Sequence, residues 1–321
     1  MPQFKITILN KGESINDTYE IQFFIGEGAF GEVYRVKHKY LGVQVLKVFK
    51  EDYVSKTDLQ TVTNEARILS KLTHPNVVRV FETNSFEKDN KKYFYITMGF
   101  VSGETLTQLL ARKIKLPLSL ALSIQNDLLR GLKYVQEQKK PIVHRDINTD
   151  NILLSYEKDM PSALISDFGL AQSIDQLSNL PGAAGRYMYF APECFLGTYL
   201  PVSDIFSTGI VFYKMITGMH PWEYDFDSLS DDVEKIKTHV ISARKKEVRK
   251  PSYYNSECDS YLDDVILKAL SKDIENRYPS ASAFLKALDK GNTKMKSYYQ
   301  YINRYFGTAA MVWRIYLLTT K

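Results

Sequence analysis

The octapeptide HRDINTDN, His144 to Asn151, places an acid, Asp146, five residues before an amide, Asn151. An acid so placed could take the proton of a hydroxyl while the amide holds a metal beside a phosphate, which is phosphoryl-transfer chemistry. A transferring phosphoryl group also needs positive charge close by. Between the acid and the amide a cation would be expected, and Asn148 stands there instead.

The elements that must position such a loop can be read from periodicity. In YEIQFFIGEGAFGEVYRVKHKYLGVQVLKVFK, Tyr19, Ile21, Phe23 and Ile25 alternate, as do Val43 and Val45 before Lys47, so both runs predict strands. The glycine-rich GEGAFGEV, Gly26 to Val33, joins strand to strand, whereas a dinucleotide fold would place a helix directly after its glycines. A helix is predicted over about 58–72, opened by the capping box Thr57 to Gln60. Val62, Glu65 and Leu69 share its apolar face, where a carboxylate is costly unless a cation meets it. Lys47 on the neighbouring strand is the best candidate; the alternative is a Glu65 at the stripe edge that reaches solvent.

Strands are expected around Val77 to Phe81 and Tyr93 to Met98, followed by helical periodicity in ETLTQLLARK and LSLALSIQNDLLRGLKYVQEQ. The segment Asp204 to Gly218 is apolar on nearly all sides and should lie at the centre of a helical lobe. Pattern alone therefore predicts a small sheet lobe, a hinge near Gly99 to Ser102 and a larger helical lobe.

Bulk properties agree with an enzyme-sized chain of 321 residues, with 44% hydrophobic and 25% charged residues. The net charge of +5 is mild, and the densest basic run, Ala243 to Lys250, reads as solvated surface, so no nucleic-acid partner is expected. Two cysteines, Cys194 and Cys258, suggest neither a zinc site nor a disulfide framework, and a reducing cytoplasm fits. No signal peptide and no transmembrane span are expected: MPQFKITILNKGES lacks a long apolar core, and GTAAMVWRIYLLTT is short and interrupted by Arg314.

In order, GEGAFGEV, VLK, Glu65, HRDINTDN, DFG (Asp167 to Gly169) and APE (Ala191 to Glu193) form a set that resembles the eukaryotic-type (Hanks-type) protein kinases, across roughly 19–290. The resemblance implies an α+β bilobal fold with a β-rich N-lobe (19–98), a helical C-lobe (99–290), an N-terminal extension (1–18) and a tail (291–321). It implies ATP and Mg2+. Ile25, Gly26, Gly28, Phe30, Gly31, Val33, Val45, Lys47, Met98, Gly99, Val101 and Leu153 would bind ATP, the glycines by letting backbone close over the phosphates. Lys47 would contact phosphates and be held by Glu65, Asp146 would be the base, and Asn151 and Asp167 would hold metal. His144 would pack on Phe168, Glu193 pair with Arg277, Asp204 brace the catalytic loop, and Gly99 to Val101 offer hydrogen bonds to adenine.

The departures concern chemistry. Val45 replaces a usual alanine, Asn148 the catalytic-loop lysine of serine/threonine kinases, and Arg186 the threonine that faces it. Arg186 could turn inward and supply the missing cation, or point to solvent or bind an acidic substrate. The expected activity is transfer of the ATP γ-phosphate to serine or threonine of protein substrates, including autophosphorylation, because residues 148–150 carry no arginine as tyrosine kinases do. The alternatives are a pseudokinase scaffold and a small-molecule kinase, the latter disfavoured by the APE segment. Phosphate on Ser173 or Ser178 would order the activation segment through Arg145. The tail has two apolar stripes, which could dock on the helical lobe, present a partner surface, touch a membrane or begin a further domain.

Overall fold

The structure, a computed structural model, describes residues 7–28, 31–49, 67–157, 161–168, 183–225 and 232–291. In the small lobe lie β1 (Ser14–Ile15), β2 (Tyr19–Glu27), β3 (Gly31–His38), β4 (Gly42–Phe49), β5 (Val80–Lys88) and β6 (Lys91–Gly99). They form one sheet in the order β1-β2-β3-β4-β6-β5. Alternation puts Tyr19, Ile21, Tyr34, Val36, Leu46 and Val48 on one buried face. The register of β2 slips between Ile21 and Phe23 and again between Phe24 and Gly26. Such bulges bend and twist a strand. Within this bulged stretch Phe23 and Ile25 keep the alternation but leave the core, and both are 47% exposed.

Residues 7–15 belong to this lobe. Leu9 and Ile15 are buried in the same cluster, the Ile8 N–H donates to Glu32 Oε2 (2.8 Å) and the Leu9 N–H to Tyr34 Oη (3.0 Å). The strand expected from Val77 begins only at Val80. The reason lies in the backbone: Val78 N–H donates to Ile165 O (2.9 Å) and Ile165 N–H to Asn76 O (3.0 Å), so this stretch ties one lobe to the other.

The second lobe contains β7 (Gly103–Thr105), α1 (Leu106–Arg112), α2 (Leu118–Gln136), β8 (Ile152–Ser155), β9 (Ser162–Ile165), α3 (Ala183–Tyr187), α4 (Pro201–Thr217), α5 (Val233–Ala243) and α6 (Ser260–Ala269), with residues 281–291 also helical. Helix α4 is buried on nearly every side, as its composition predicts. Pro201 opens it and Gly218, at φ 77°, closes it. The small sheet β7-β8-β9 falls where helix and loop were expected. Its strands are short, but they set the site: Asn151 immediately precedes β8, and Asp167 follows β9. No described helix is long and apolar enough to cross a membrane.

Candidate active site

The catalytic loop is pinned from below by α4. Asp204 Oδ2 accepts the N–H of His144 (2.8 Å) and Oδ1 that of Arg145 (3.0 Å). Arg145 and Asp167 sit at φ 71° and 58°, a left-handed conformation that costs a non-glycine residue about 1–3 kcal/mol and persists where surroundings enforce it. His144 joins the two strained segments. Its Nε2 lies 2.8 Å from Ser166 O and its ring meets Phe168 edge-on at 4.5 Å. Burial pushes the Asp204 carboxyl up to about 6, although His144 and Arg145 favour its charge.

At the loop's centre Asp146 is 5% exposed. Its Oδ1 accepts from Asn148 Nδ2 (2.8 Å), and its Oδ2 accepts from Asn151 Nδ2 (2.8 Å) and Arg186 Nη1 (3.0 Å). Asn148 Oδ1 in turn accepts the N–H groups of Asp150 (2.8 Å) and Asn151 (3.2 Å). Asn148 is thus committed to shaping the loop and orienting Asp146, and the guanidinium beside the acid comes from Arg186 at the end of α3.

A cleft of about 450 Å3 runs between the lobes. Ile25, Gly26, Gly28, Val33, Val45, Lys47, Met98, Gly99, Val101 and Leu153 line it, together with Asp167. Lys47 Nζ stands 2.7 Å from Asp167 Oδ1. Burial alone would raise the Asp167 carboxyl, but the Lys47 ammonium, together with His144 and Arg186, holds the group below the usual carboxylate value. Glu65, Phe30, Ser173 and Ser178 lie outside the described residues, as does nearly all of the tail.

Gly31 is required by strand pairing, since an added Cβ would lie 2.0 Å from Val48 O, whereas Gly26 has nothing within 4 Å of that position. At the hinge the Gly99 N–H is committed to Arg79 O (2.8 Å), and the Val101 N–H has no backbone partner among the described residues. Phe23, Phe100, Glu104 and Gln108 also line the cleft and were not anticipated. The Arg35 guanidinium stands 5.3 Å from the Phe23 ring and 5.0 Å from Phe100, an arrangement with no short-range sequence signal.

Among the described residues no cluster of three histidine, cysteine or acidic side chains could hold a metal by itself. Asp167 and the amide oxygen of Asn151 offer hard oxygen donors in a small, incomplete set. That suits Mg2+, which keeps waters and substrate phosphates in its coordination sphere.

The segment after α3 is anchored twice. Arg277 donates from Nη1 and Nη2 to Glu193 Oε1 and Oε2 (2.7 and 2.8 Å), and Ser203 Oγ donates to Oε1 (2.6 Å). Burial raises the Glu193 carboxyl, and Arg277 and Ser203 more than reverse this, leaving it below its ordinary value. The second anchor corrects the reading of Ala243 to Lys250 as wholly solvated: Arg244 is 4% exposed. It donates to the carbonyls of Tyr187 (3.1 Å), Met188 (2.8 Å) and Phe190, and to Tyr224 Oη (3.1 Å), among the rings of Phe195, Phe206 and Trp222.

A family model described as protein kinase domain matches residues 19–287. A probable serine/threonine-protein kinase of Clostridium perfringens is 31% identical over 284 residues, covering 87% of this chain and 39% of that protein. The tyrosine-protein kinase MasK of Myxococcus xanthus is 30% identical over 289 residues, covering 83% of this chain and 41% of its own length. The Mycobacterium tuberculosis PknI kinase domain has the same fold, with a TM-score of 0.68 at 23% identity over 89% of this chain and 99% of that one. The chain spans well under two thirds of the length of the curated relatives it matches.

Proposed function

Because the chain belongs to the protein kinase domain family, we propose that it is an ATP-dependent protein kinase that phosphorylates serine and threonine hydroxyls of proteins, itself included. One observation carries this reading: Lys47, Asp167, Asn151 and Asp146 converge where the cleft meets the catalytic loop, linked by the Lys47–Asp167 and Asn151–Asp146 contacts. Asp146 accepts the proton of the substrate hydroxyl, and Asn148 and Asn151 orient its carboxylate through one oxygen each. Lys47 contacts the phosphates of ATP, and Glu65 positions it. Asn151 and Asp167 would hold Mg2+, which when bound would neutralise phosphate charge. The apolar walls, Val33, Val45 and Leu153, take the adenine, and the Val101 N–H supplies a hydrogen bond to its edge.

The preference for serine and threonine rests on residues 148–150, which bring no arginine into the loop. The test is incubation with Mg2+ and labelled ATP in the presence of peptides matched except for a serine, threonine or tyrosine acceptor, with mass-spectrometric mapping. Label on serine and threonine is expected. Label on tyrosine alone overturns the specificity, and tight nucleotide binding without transfer supports a scaffold.

A further inference from the structure

We propose that Arg186 is a catalytic residue of the transfer, supplying to the moving phosphoryl group the positive charge that the catalytic loop lacks at position 148; this rests on the reading of the chain as a protein kinase. Asn148 cannot serve in that role as it stands. Both ends of its amide are engaged within the loop, and an amide carries no net charge.

Arg186 meets the requirements on several counts. Its Nη1 lies 3.0 Å from the oxygen of Asp146 that Asn151 also contacts, which places a guanidinium one hydrogen bond from the base. Its side chain is 25% exposed against 6% for Asp146, so the cation stands on the accessible side of the acid. The backbone carrying it is fixed: Tyr189 N–H donates to Arg186 O (2.9 Å), and the next carbonyls are held by Arg244. Preorganised charge of this kind does not need to reorganise during the reaction.

The charge movement fits as well. As the hydroxyl oxygen bonds to the γ-phosphorus and the bond to the ADP oxygen breaks, the hydroxyl proton passes to Asp146. The carboxylate loses the negative charge that held Arg186, while negative charge remains on the phosphoryl oxygens. A guanidinium's fork of N–H donors suits carboxylate and phosphate oxygens alike.

The experiment measures kcat and KM for ATP and peptide in wild type, Arg186→Thr, Arg186→Lys, Asn148→Lys and the double variant Arg186→Thr/Asn148→Lys. Nucleotide affinity, measured on each, reports that the fold is intact. Arg186→Thr should lower kcat by roughly 10²–10³, the scale for one preorganised electrostatic group, with nucleotide affinity unchanged. Arg186→Lys should lose less, and Asn148→Lys should restore at least roughly tenfold in the double variant, a non-additive result. A faster Arg186→Thr enzyme would make the pair with Asp146 a brake and overturn the proposal. So would a raised peptide KM at unchanged kcat, which marks a substrate grip, or strict additivity. Wild type that binds nucleotide and transfers nothing overturns the kinase reading itself, and this inference with it.

Discussion

Two ion pairs, one made by Arg186 at the end of α3 and one by Glu193 just after it, are built differently. Glu193 and Arg277 meet through two bonds, with side chains 9% and 0% exposed and Ser203 engaging the carboxylate as well. Arg186 and Asp146 are joined through Nη1 at 3.0 Å, and the arginine is 25% exposed. The first pair has only to hold the loop, so water is excluded and the geometry is bidentate. The second combines a buried acid with a more exposed arginine, as the proposed share in phosphoryl transfer requires. Exposure of the cation separates the two pairs.

The largest effect should come from breaking the sealed pair. Arg277→Met leaves Glu193 buried without its counter-ion and should cost about 3–5 kcal/mol of stability, read by denaturant titration. Arg186→Thr removes the more exposed partner while Asp146 keeps its bonds from Asn148 and Asn151, so it should cost less stability than Arg277→Met. Equal losses would erase the distinction.

Arg244 lies between the two pairs and tests whether the substrate-side loop depends on its anchor. Arg244→Lys keeps a charge but cannot fan three carbonyls, and it should raise peptide KM by roughly tenfold while leaving ATP KM unchanged. A uniform fall in nucleotide and peptide affinity would instead mean general unfolding.

A smaller effect concerns acid. Neither ring nitrogen of His220 has a hydrogen-bond partner among the described residues, and the ring packs against Tyr189 at 5.0 Å. Burial, with Lys214 and Arg244 nearby, pushes this imidazole down to about 3. The unfolded chain therefore binds the proton more readily, and stability should fall as pH drops from about 6.5 toward 3. Glu193, held low, adds to the loss as pH falls below its ordinary carboxylate value, whereas Asp204, raised to about 6, opposes it between about 4 and 6. His220→Phe should flatten the fall, as followed by melting temperature against pH. An unchanged slope would assign the acid sensitivity elsewhere.

Much of this site was legible because its chemistry is carried by short, ordered motifs. Asp146, Asn151, Asp167 and Lys47 could be named before any fold was known, and period-two alternation located β2 and β4. What stayed hidden depended on distant partners. Alternation in β2 continues through Ile25, but the bulges after Ile21 move the later residues from core to cleft, and no local pattern marks a bulge. Arg244 reads as one more surface cation, because its burial is created by rings from three other segments. The sequence revealed that a charge was missing at Asn148 and suggested Arg186 as one source; only the fold brings the guanidinium to Asp146.

The central claim, that Asp146 is the base of a phosphoryl transfer run in this cleft, is tested most directly by comparing wild type with Asp146→Asn in one preparation for Mg·ATP affinity and for the rate of phosphate incorporation into protein. Nucleotide affinity should be equal in the two proteins and the rate lowered by roughly 10²–10⁴ in Asp146→Asn. Near-equal rates of incorporation in the two proteins would contradict it.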